Sequence, residues 1–93
     1  MPSSLHSRNY QIFRNELVAA REDAGFTQVN IAEKLGKPQS FISKYERGER
    51  RLDFTEFVEI ANILEIDIAD FVNRYQATIS QTPSLKVRRK KKT

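Results

Sequence analysis

Apolar residues in this chain recur at spacings of three and four, the period of an amphipathic helix, and no stretch alternates in the manner of a half-buried strand. The pattern predicts five helices. In the first, "YQIFRNELVAAREDAG", the inward positions are Phe13, Leu17, Ala20 and Ala24, and Gly25 is the residue type that commonly follows a helix end. The fold class is therefore expected to be all-α.

Two short helices follow, separated by a glycine turn. Thr27 is expected to cap the second helix through its side chain, and Gly36 to end it. The apolar positions of this helix are Val29, Ile31, Ala32 and Leu35. The third helix is expected to run from about Pro38 to Arg47, with the proline tolerated in its first turn and Gly48 after its end. Its apolar positions are Phe41, Ile42 and Tyr45.

The last two helices carry the remaining apolar positions. Asp53 and Glu56 have the spacing of a capping box at the start of the fourth helix, and Asp67 begins the fifth. The inward residues of the fourth helix are expected to be Phe57, Ile60, Ala61 and Leu64. The fifth helix carries Ile68, Phe71, Val72 and Tyr75, more apolar side chains than one face of so short a helix needs. Beyond them the sequence is polar, interrupted by proline and then basic. We expect a flexible N-terminus at 1–8, one domain at 9–75 and a flexible basic tail at 76–93.

The size and composition of the chain exclude several classes of protein. A chain of 93 residues forms one small domain with little interior volume to spare for a catalytic cavity. No cysteine is present, which excludes disulfides and thiolate metal sites, and no apolar run approaches the roughly 20 residues of a membrane span. The only histidine is His6, in the expected flexible N-terminus, so we expect no enzyme, no metal and no cofactor. A cytoplasmic, nucleoid-associated protein without membrane contact is expected.

Charge is distributed unevenly, although the formal net charge is only +4. The segment 86–93, "KVRRKKKT", holds six basic residues and no acid, so the rest of the chain carries ten basic and twelve acidic residues. Six basic residues also lie between Lys34 and Arg51, whereas six acids and one base lie between Asp53 and Arg74. Faces of opposite charge suit a protein that meets a polyanion with one surface, and an ordinary solvated charge pattern is the alternative.

The spacing around Gly36 is that of a helix-turn-helix. Ala32 lies four residues before this glycine and lets two helix backbones approach, and Ile42 lies six residues after it and fills the angle between them. With Ile42 and Tyr45 facing inward and Phe41 on the flank, four hydrogen-bonding residues remain on the outer side of the third helix: Gln39, Ser40, Ser43 and Lys44. Such a helix fits the major groove of DNA, where glutamine bonds adenine and lysine reaches guanine or a phosphate. A merely solvated polar face is the alternative.

With this spacing, the segments "TQVNIAEKLG", "QSFISKYERGERR" and "EIANILEI" make roughly residues 10–75 resemble the phage-repressor and Cro-like, or XRE-type, family of helix-turn-helix regulators. The resemblance implies a five-helix lambda-repressor-like domain and a sequence-specific regulator of transcription, expected to be a repressor, that binds double-stranded DNA. In that family the positions of Gln39, Ser40 and Lys44 contact base edges.

The resemblance also assigns roles beyond the outer face of the third helix. Gln28 is expected to bond a phosphate while its amide steadies Gln39, and Arg21 and Glu46 match positions that form a partly buried ion pair. The other expected phosphate contacts flank the third helix, where they position the protein rather than read bases: Lys37, Arg47, Arg50 and Arg51. For Lys37 and for the ion pair, plain solvated side chains are the alternative.

Two residues depart from the family pattern. Pro38 stands where a small polar cap is usual, so no side chain fixes the start of the third helix. Glu65 stands where glycine is frequent, which implies either a less sharp turn after the fourth helix or a residue strained into the left-handed conformation. Neither change removes a group that is expected to face DNA.

Two functions remain open on the sequence. The first is a DNA-binding regulator that acts on a palindromic operator as a homodimer, weak or driven by DNA, because one recognition helix covers only a few base pairs. The second is an antitoxin-type or other protein-interaction module with secondary DNA binding. The first is favoured because the chain shows no substantial toxin-wrapping or ligand-sensing domain, and no small-molecule ligand is indicated.

Overall fold

The structure, a computed structural model, describes residues 7–81, and every regular element within this range is a helix. The helices are α1 (Arg8–Asp23), α2 (Gln28–Leu35), α3 (Gln39–Glu46), α4 (Phe54–Leu64) and α5 (Ile68–Ser80). The prediction of an all-α, five-helix domain is confirmed. Residues 1–6 and the basic segment 86–93, for which flexibility was expected, lie outside the described residues.

Side-chain caps fix the starts of the two helices that were predicted to have them. At α2, the Asn30 N–H donates to Thr27 Oγ1 at 3.0 Å, and the Thr27 N–H donates in return to Asn30 Oδ1 at 3.2 Å. At α4, Asp53 and Glu56 form the same reciprocal pair, with distances of 2.8 and 2.9 Å. Each capping box satisfies two backbone N–H groups that have no partner within the helix.

The core lies where α2 packs against α3 and α4, and α1 closes it by packing against α3 and α5. Its buried side chains are Leu17, Ile31, Ala32, Ile42, Tyr45, Leu52, Phe57, Ile60, Ala61, Leu64 and Phe71. Phe13, Phe57 and Phe71 join α1, α4 and α5 through ring contacts with centroids 5.1–6.0 Å apart. The inward side of α3, with Ile42 and Tyr45, is therefore packed against the other helices.

Three of the apolar positions named from the sequence, Ala24, Val29 and Val72, are exposed. Val29 lies two residues before Ile31, and two residues correspond to about 200° around a helix, so burial of Ile31 turns Val29 outward. Ala24 is the C-cap of α1, and the left-handed Gly25 turns the chain away from the helix directly after it. The apolar character of a residue at a helix end therefore did not indicate burial.

Three helix ends differ from the prediction. α1 begins two residues earlier than "YQIFRNELV", because Ser7 Oγ accepts the Tyr10 N–H at 3.1 Å and caps it. α3 begins at Gln39, and Pro38 is its N-cap in an extended conformation without a side-chain hydrogen bond. α5 continues to Ser80, five residues beyond the predicted domain boundary, with Thr78 and Ile79 half-buried.

Glu65 follows α4 in the left-handed conformation, with φ 59° and ψ 38°. Of the two alternatives for this position, the chain therefore adopts the strained residue rather than the less sharp turn. The Ile66 N–H bonds the Ala61 carbonyl at 2.9 Å, which closes the end of the helix and aims the chain toward α5.

Candidate nucleic-acid interface

The turn between α2 and α3 sets the angle at which α3 leaves the scaffold. Gly36 adopts the left-handed conformation with φ 71°, and the Lys37 N–H bonds the Ala32 carbonyl at 3.0 Å. Ala32 and Ile42 are both buried in the core, as the helix-turn-helix spacing predicted. The outer side of α3 is consequently presented to solvent along its whole length.

Three of the four predicted base-contacting residues, Gln39, Ser40 and Lys44, are exposed on that outer side. Ser43 is half-buried, and its hydroxyl is engaged within the protein because Arg47 Nη1 donates to Ser43 Oγ at 3.1 Å. The inward positions Ile42 and Tyr45 are fully buried. We therefore find the polar face of α3 where the sequence predicted it, with Ser43 at its edge.

A chain of side-chain hydrogen bonds runs from the scaffold to the first residue of α3. Gln28 Nε2 donates to Glu46 Oε1 at 2.8 Å, and Gln39 Nε2 donates to Gln28 Oε1 at 3.2 Å. A carboxylate only accepts hydrogen bonds, so the nitrogen of the Gln28 amide must face Glu46 and its oxygen must face Gln39. The amide of Gln39 is thereby oriented with its oxygen and its second N–H unused within the described residues.

Arg21 and Glu46 form a two-bond pair at the base of this chain. Arg21 Nε and Nη2 donate to the two carboxylate oxygens at 2.7 and 3.1 Å, and the side chains are only 11% and 7% exposed. The hydrogen bond to Glu46 raises the pKa of Arg21 above its usual value. Arg21 Nη1 also donates to the Phe26 carbonyl at 2.7 Å, so one side chain ties α1 to α3 and to the loop before α2.

The arginines after α3 have acidic or aromatic partners in the free protein. Arg47 forms a two-bond pair with Glu49 at 2.9 and 3.0 Å, and this hydrogen bonding lowers the pKa of Glu49. Arg50 forms a similar pair with Glu56, with both distances 3.0 Å, and lowers the pKa of that carboxyl. The Arg51 guanidinium lies 4.7 Å from the centre of the Tyr10 ring.

Phe41 lies on the flank of α3 beside two of the predicted phosphate-contacting cations. Its ring centre is 4.6 Å from Arg50 Cζ and 5.1 Å from Lys37 Nζ. The ring also meets Tyr45 edge-on, with centroids 5.8 Å apart. One half-buried aromatic side chain therefore contacts residues before, within and after α3.

Sequence reasoning missed two residues of α1 that hold the segment after α3. The Tyr10 hydroxyl accepts the Leu52 N–H at 3.0 Å and donates to the Arg50 carbonyl at 3.3 Å. Arg14 Nη1 donates to the Glu46 carbonyl at 2.7 Å, at the C-terminal end of α3. Tyr10 and Arg14 lie seven and three residues before Leu17, and this spacing predicts that all three share one face of α1. The spacing does not indicate which residues that face contacts.

Other kinds of site find little support within residues 7–81. No three His, Asp or Glu side chains in this range are arranged to hold a metal ion. No helix in this part of the chain is long and apolar enough to cross a bilayer. An open groove of about 430 Å³ lies between α1, the start of α4 and α5, with Phe54, Phe71 and Val72 among its lining residues. His6 lies outside the described residues.

The chain is similar to known helix-turn-helix proteins in both sequence and fold. The helix-turn-helix family HTH_3 matches residues 17–71. A curated relative, the uncharacterised HTH-type transcriptional regulator YqaE of Bacillus subtilis (strain 168), is 33% identical over 57 residues, 61% of this chain. The chain spans about half the length of that relative, 49%.

Two solved structures share the fold. An XRE-family like protein from Pseudomonas syringae pv. tomato str. DC3000 is 39% identical with a TM-score of 0.73, covering 81% of this chain and 92% of that one. A tyrosine-to-phenylalanine mutant of the restriction-modification controller protein C.Esp1396I is 25% identical with a TM-score of 0.73, covering 81% and 95%. The helical domain is thus matched over nearly its full extent.

Proposed function

Because the chain belongs to the HTH_3 family of XRE-type helix-turn-helix proteins, which are DNA-binding transcriptional regulators, we propose that it is a repressor that reads an operator through the major groove with α3. The observation that carries the proposal is the hydrogen-bond chain from Glu46 through Gln28 to Gln39. Repression requires only that the bound domain occupies the promoter, and the similarity to a restriction-modification controller protein supports a regulatory role of this kind.

Gln39 is the residue that we expect to read a base. Its side-chain oxygen and its second N–H are left for an outside partner once Gln28 has fixed the amide. One donor and one acceptor side by side match the N6 and N7 atoms of adenine in the major groove. Ser40 and Lys44, exposed beside it, have a hydroxyl for several bases and a cation for guanine, while Ser43 contributes through the edge of the helix.

Phosphate contacts are proposed on both sides of α3. Gln28 retains one amide N–H beyond its bond to Glu46, and it begins α2, where backbone N–H groups and the helix dipole favour an anion. The other proposed contacts are Lys37, Arg47, Arg50 and Arg51. These groups fix the register of the domain on the duplex and carry no sequence information directly.

We propose that the repressor acts as a weak or DNA-driven homodimer formed through α4 and α5. Val72 on α5 is 41% exposed and Phe54 at the start of α4 is 73% exposed, next to the groove between these helices and α1. Apolar side chains this exposed gain free energy when a partner covers them. Two domains on a palindromic operator double the number of base contacts.

The reading helix is tested by the ratio of specific to non-specific affinity. The operator is first selected from a library of random duplexes with the intact protein. Gln39→Ala should then weaken operator binding by about 1–3 kcal/mol and relax preference at one base step, because one bidentate contact is lost. Arg50→Ala should weaken binding to every duplex alike. Asn62→Ala, on the exposed side of α4, should change neither the affinity for the operator nor the ratio of specific to non-specific affinity. An unchanged ratio for Gln39→Ala would refute the assignment.

The dimer is tested by sedimentation with and without a palindromic duplex. Val72→Glu should abolish association by placing a charge in an apolar contact, whereas Asn73→Glu, an exposed neighbour on the same helix, should leave it intact. One protomer per palindromic duplex for the unaltered chain would exclude the dimer. A stoichiometric complex with a different protein, recovered from the native cell and lost in Val72→Glu, would favour an interaction module instead.

A further inference from the structure

Phe41 is held in place from the core side. The ring packs against the buried cluster and meets the edge of Tyr45, which is itself fully buried, with an angle of 72° between the ring planes. An aromatic side chain has only two rotatable torsions, and packing on one side fixes both. The ring is therefore a rigid surface on the flank of α3 rather than a mobile one.

Two cations lie against this rigid ring although they come from opposite ends of α3. Lys37 belongs to the turn before the helix, and Arg50 to the segment after it. Their charged groups are 5.1 and 4.6 Å from the ring centre, within the range at which a cation is attracted by an aromatic face. The ring consequently restricts the long side chain of Lys37, and it adds to the hydrogen bonds with Glu56 that already hold Arg50.

The contacts of Arg50 leave a phosphate-binding edge of its guanidinium unused. Its Nη1 donates to Glu56 Oε1 and to the Arg51 carbonyl, and its Nη2 donates to Glu56 Oε2. The contact with Phe41 places Arg50 Cζ 4.6 Å from the ring centre and is not a hydrogen bond of any of its N–H groups. Within residues 7–81, the Nε–H and the second Nη2–H are therefore available, and such a pair of parallel donors fits a phosphate in bidentate fashion.

We infer that Phe41 is a positioning residue for DNA binding, whose ring holds Lys37 and Arg50 on one flank of α3 in the orientation that meets backbone phosphates. The inference rests on the proposed function in one respect, that α3 faces DNA. It goes further because it explains the phosphate contacts of Lys37 and Arg50 by the position of an aromatic ring, although Phe41 itself does not read a base. A side chain of similar apolar bulk without a π face fills the flank but does not hold the cations.

The test is the salt dependence of binding to a labelled duplex of random sequence, measured with the full chain. Phe41→Leu should make the slope of log K against log salt shallower by between about 0.9 and 1.8, the release expected from one or two phosphate contacts on double-stranded DNA. Affinity should fall for all sequences while base preference is kept. Phe41→Tyr, which retains the aromatic face, should preserve the slope of the unaltered chain.

Loss of packing is separated from loss of positioning by a matched control. Phe13→Leu removes another half-buried ring from the same core, and Phe13 has ring contacts but no cation partner among the described residues. This variant should lower the melting temperature and keep the slope. All variants are titrated well below their melting temperatures. The inference is overturned if Phe41→Leu keeps the slope, or if Phe13→Leu lowers it equally.

The outcome is independent of base reading because the duplex is random in sequence. If Gln39→Ala keeps the specific to non-specific ratio but Phe41→Leu lowers the slope, the base-reading role of Gln39 is wrong, while the positioning role of Phe41 stands. If Gln39→Ala lowers the ratio and Phe41→Leu keeps the slope, α3 reads DNA without the help of this ring.

Discussion

Glu65 occupies a backbone conformation that costs an L-residue roughly 1–2 kcal/mol and costs glycine almost nothing. Glycine also has a more disordered unfolded state, which offsets about 0.4–1 kcal/mol of the gain. We predict that Glu65→Gly raises the free energy of unfolding by about 0.5 kcal/mol, measured by urea denaturation. Glu65→Ala removes the same side chain but keeps the strain, so it should give no gain. Equal stability of the two variants would show that the conformation is not strained.

The carboxylate of Glu49 competes with DNA for Arg47. The pair is exposed, so it contributes little to stability, but a phosphate must displace the carboxylate to use the same donors. We predict that Glu49→Gln raises affinity for every duplex about two- to fivefold without changing base preference. This range corresponds to the free energy that an exposed ion pair contributes. The measurement is a titration by fluorescence anisotropy at fixed salt.

A change of net charge alone would also strengthen binding, so that prediction needs a charge-matched control. Glu59→Gln makes the same change on an exposed residue of α4 that forms no ion pair within residues 7–81. Its effect should be clearly smaller than that of Glu49→Gln. Equal gains would mean that only the overall field matters and that the pair with Arg47 is irrelevant to binding.

At the scale of the helix ends, α2 and α3 are both followed by a glycine with positive φ, but the two glycines have different surroundings. A Cβ at Gly36 would meet nothing within 4 Å, whereas a Cβ at Gly48 would lie 2.9 Å from Arg14 Nε. Arg14 cannot move away freely because Nη1 donates to the Glu46 carbonyl at 2.7 Å. The close approach at Gly48 therefore couples α1 to the end of α3.

We predict that Gly36→Ala costs about 1 kcal/mol through backbone strain, and that Gly48→Ala costs at least about 1 kcal/mol more because the hydrogen bond of a charged group is also lost. Urea denaturation of both variants measures the difference. In an Arg14→Met background the extra cost should disappear, since no guanidinium remains to be displaced. If the difference persists there, the contact with Arg14 is not its cause.

The helices themselves follow from periodicity, whereas several of their ends do not. The Thr27 and Asp53 caps are local, so a few residues of sequence were enough to predict them. The continuation of α5 to Ser80 depends on contact with α1, where Thr78 Oγ1 lies 3.4 Å from Glu16 Oε2, 62 residues away in sequence. No local pattern contains that information.

The same distinction applies to the candidate site. Helical spacing locates the outer face of α3 because Ile42 and Tyr45 must be buried. It does not show that Gln28 bonds Glu46 as well as Gln39, or that Tyr10 holds Leu52 from 42 residues away. Such contacts depend on how the packed helices place side chains from distant parts of the chain.

Across the whole molecule, the basic residues of 86–93 form a second source of positive charge besides the face around α3. The described residues show how far the chain must extend to keep α5 whole. Because α5 extends to Ser80 and buries part of Ile79, truncation at residue 76, the sequence-predicted start of the tail, would cut into a packed helix. Ending the chain after Gln81 keeps every described residue.

We predict that removal of residues 82–93 makes the salt dependence of DNA binding shallower by about 0.9 for each phosphate contact that the six basic residues supply, and weakens binding to all sequences while base preference stays the same. The physical reason is that each phosphate neutralised by a lysine or arginine releases counterions. A chain in which these six residues are replaced by glutamine controls for length. If both altered chains keep the slope of the unaltered protein, the basic segment does not touch phosphates, and an electrostatic contact with the acidic residues between Asp53 and Asp70 becomes the better explanation of its charge.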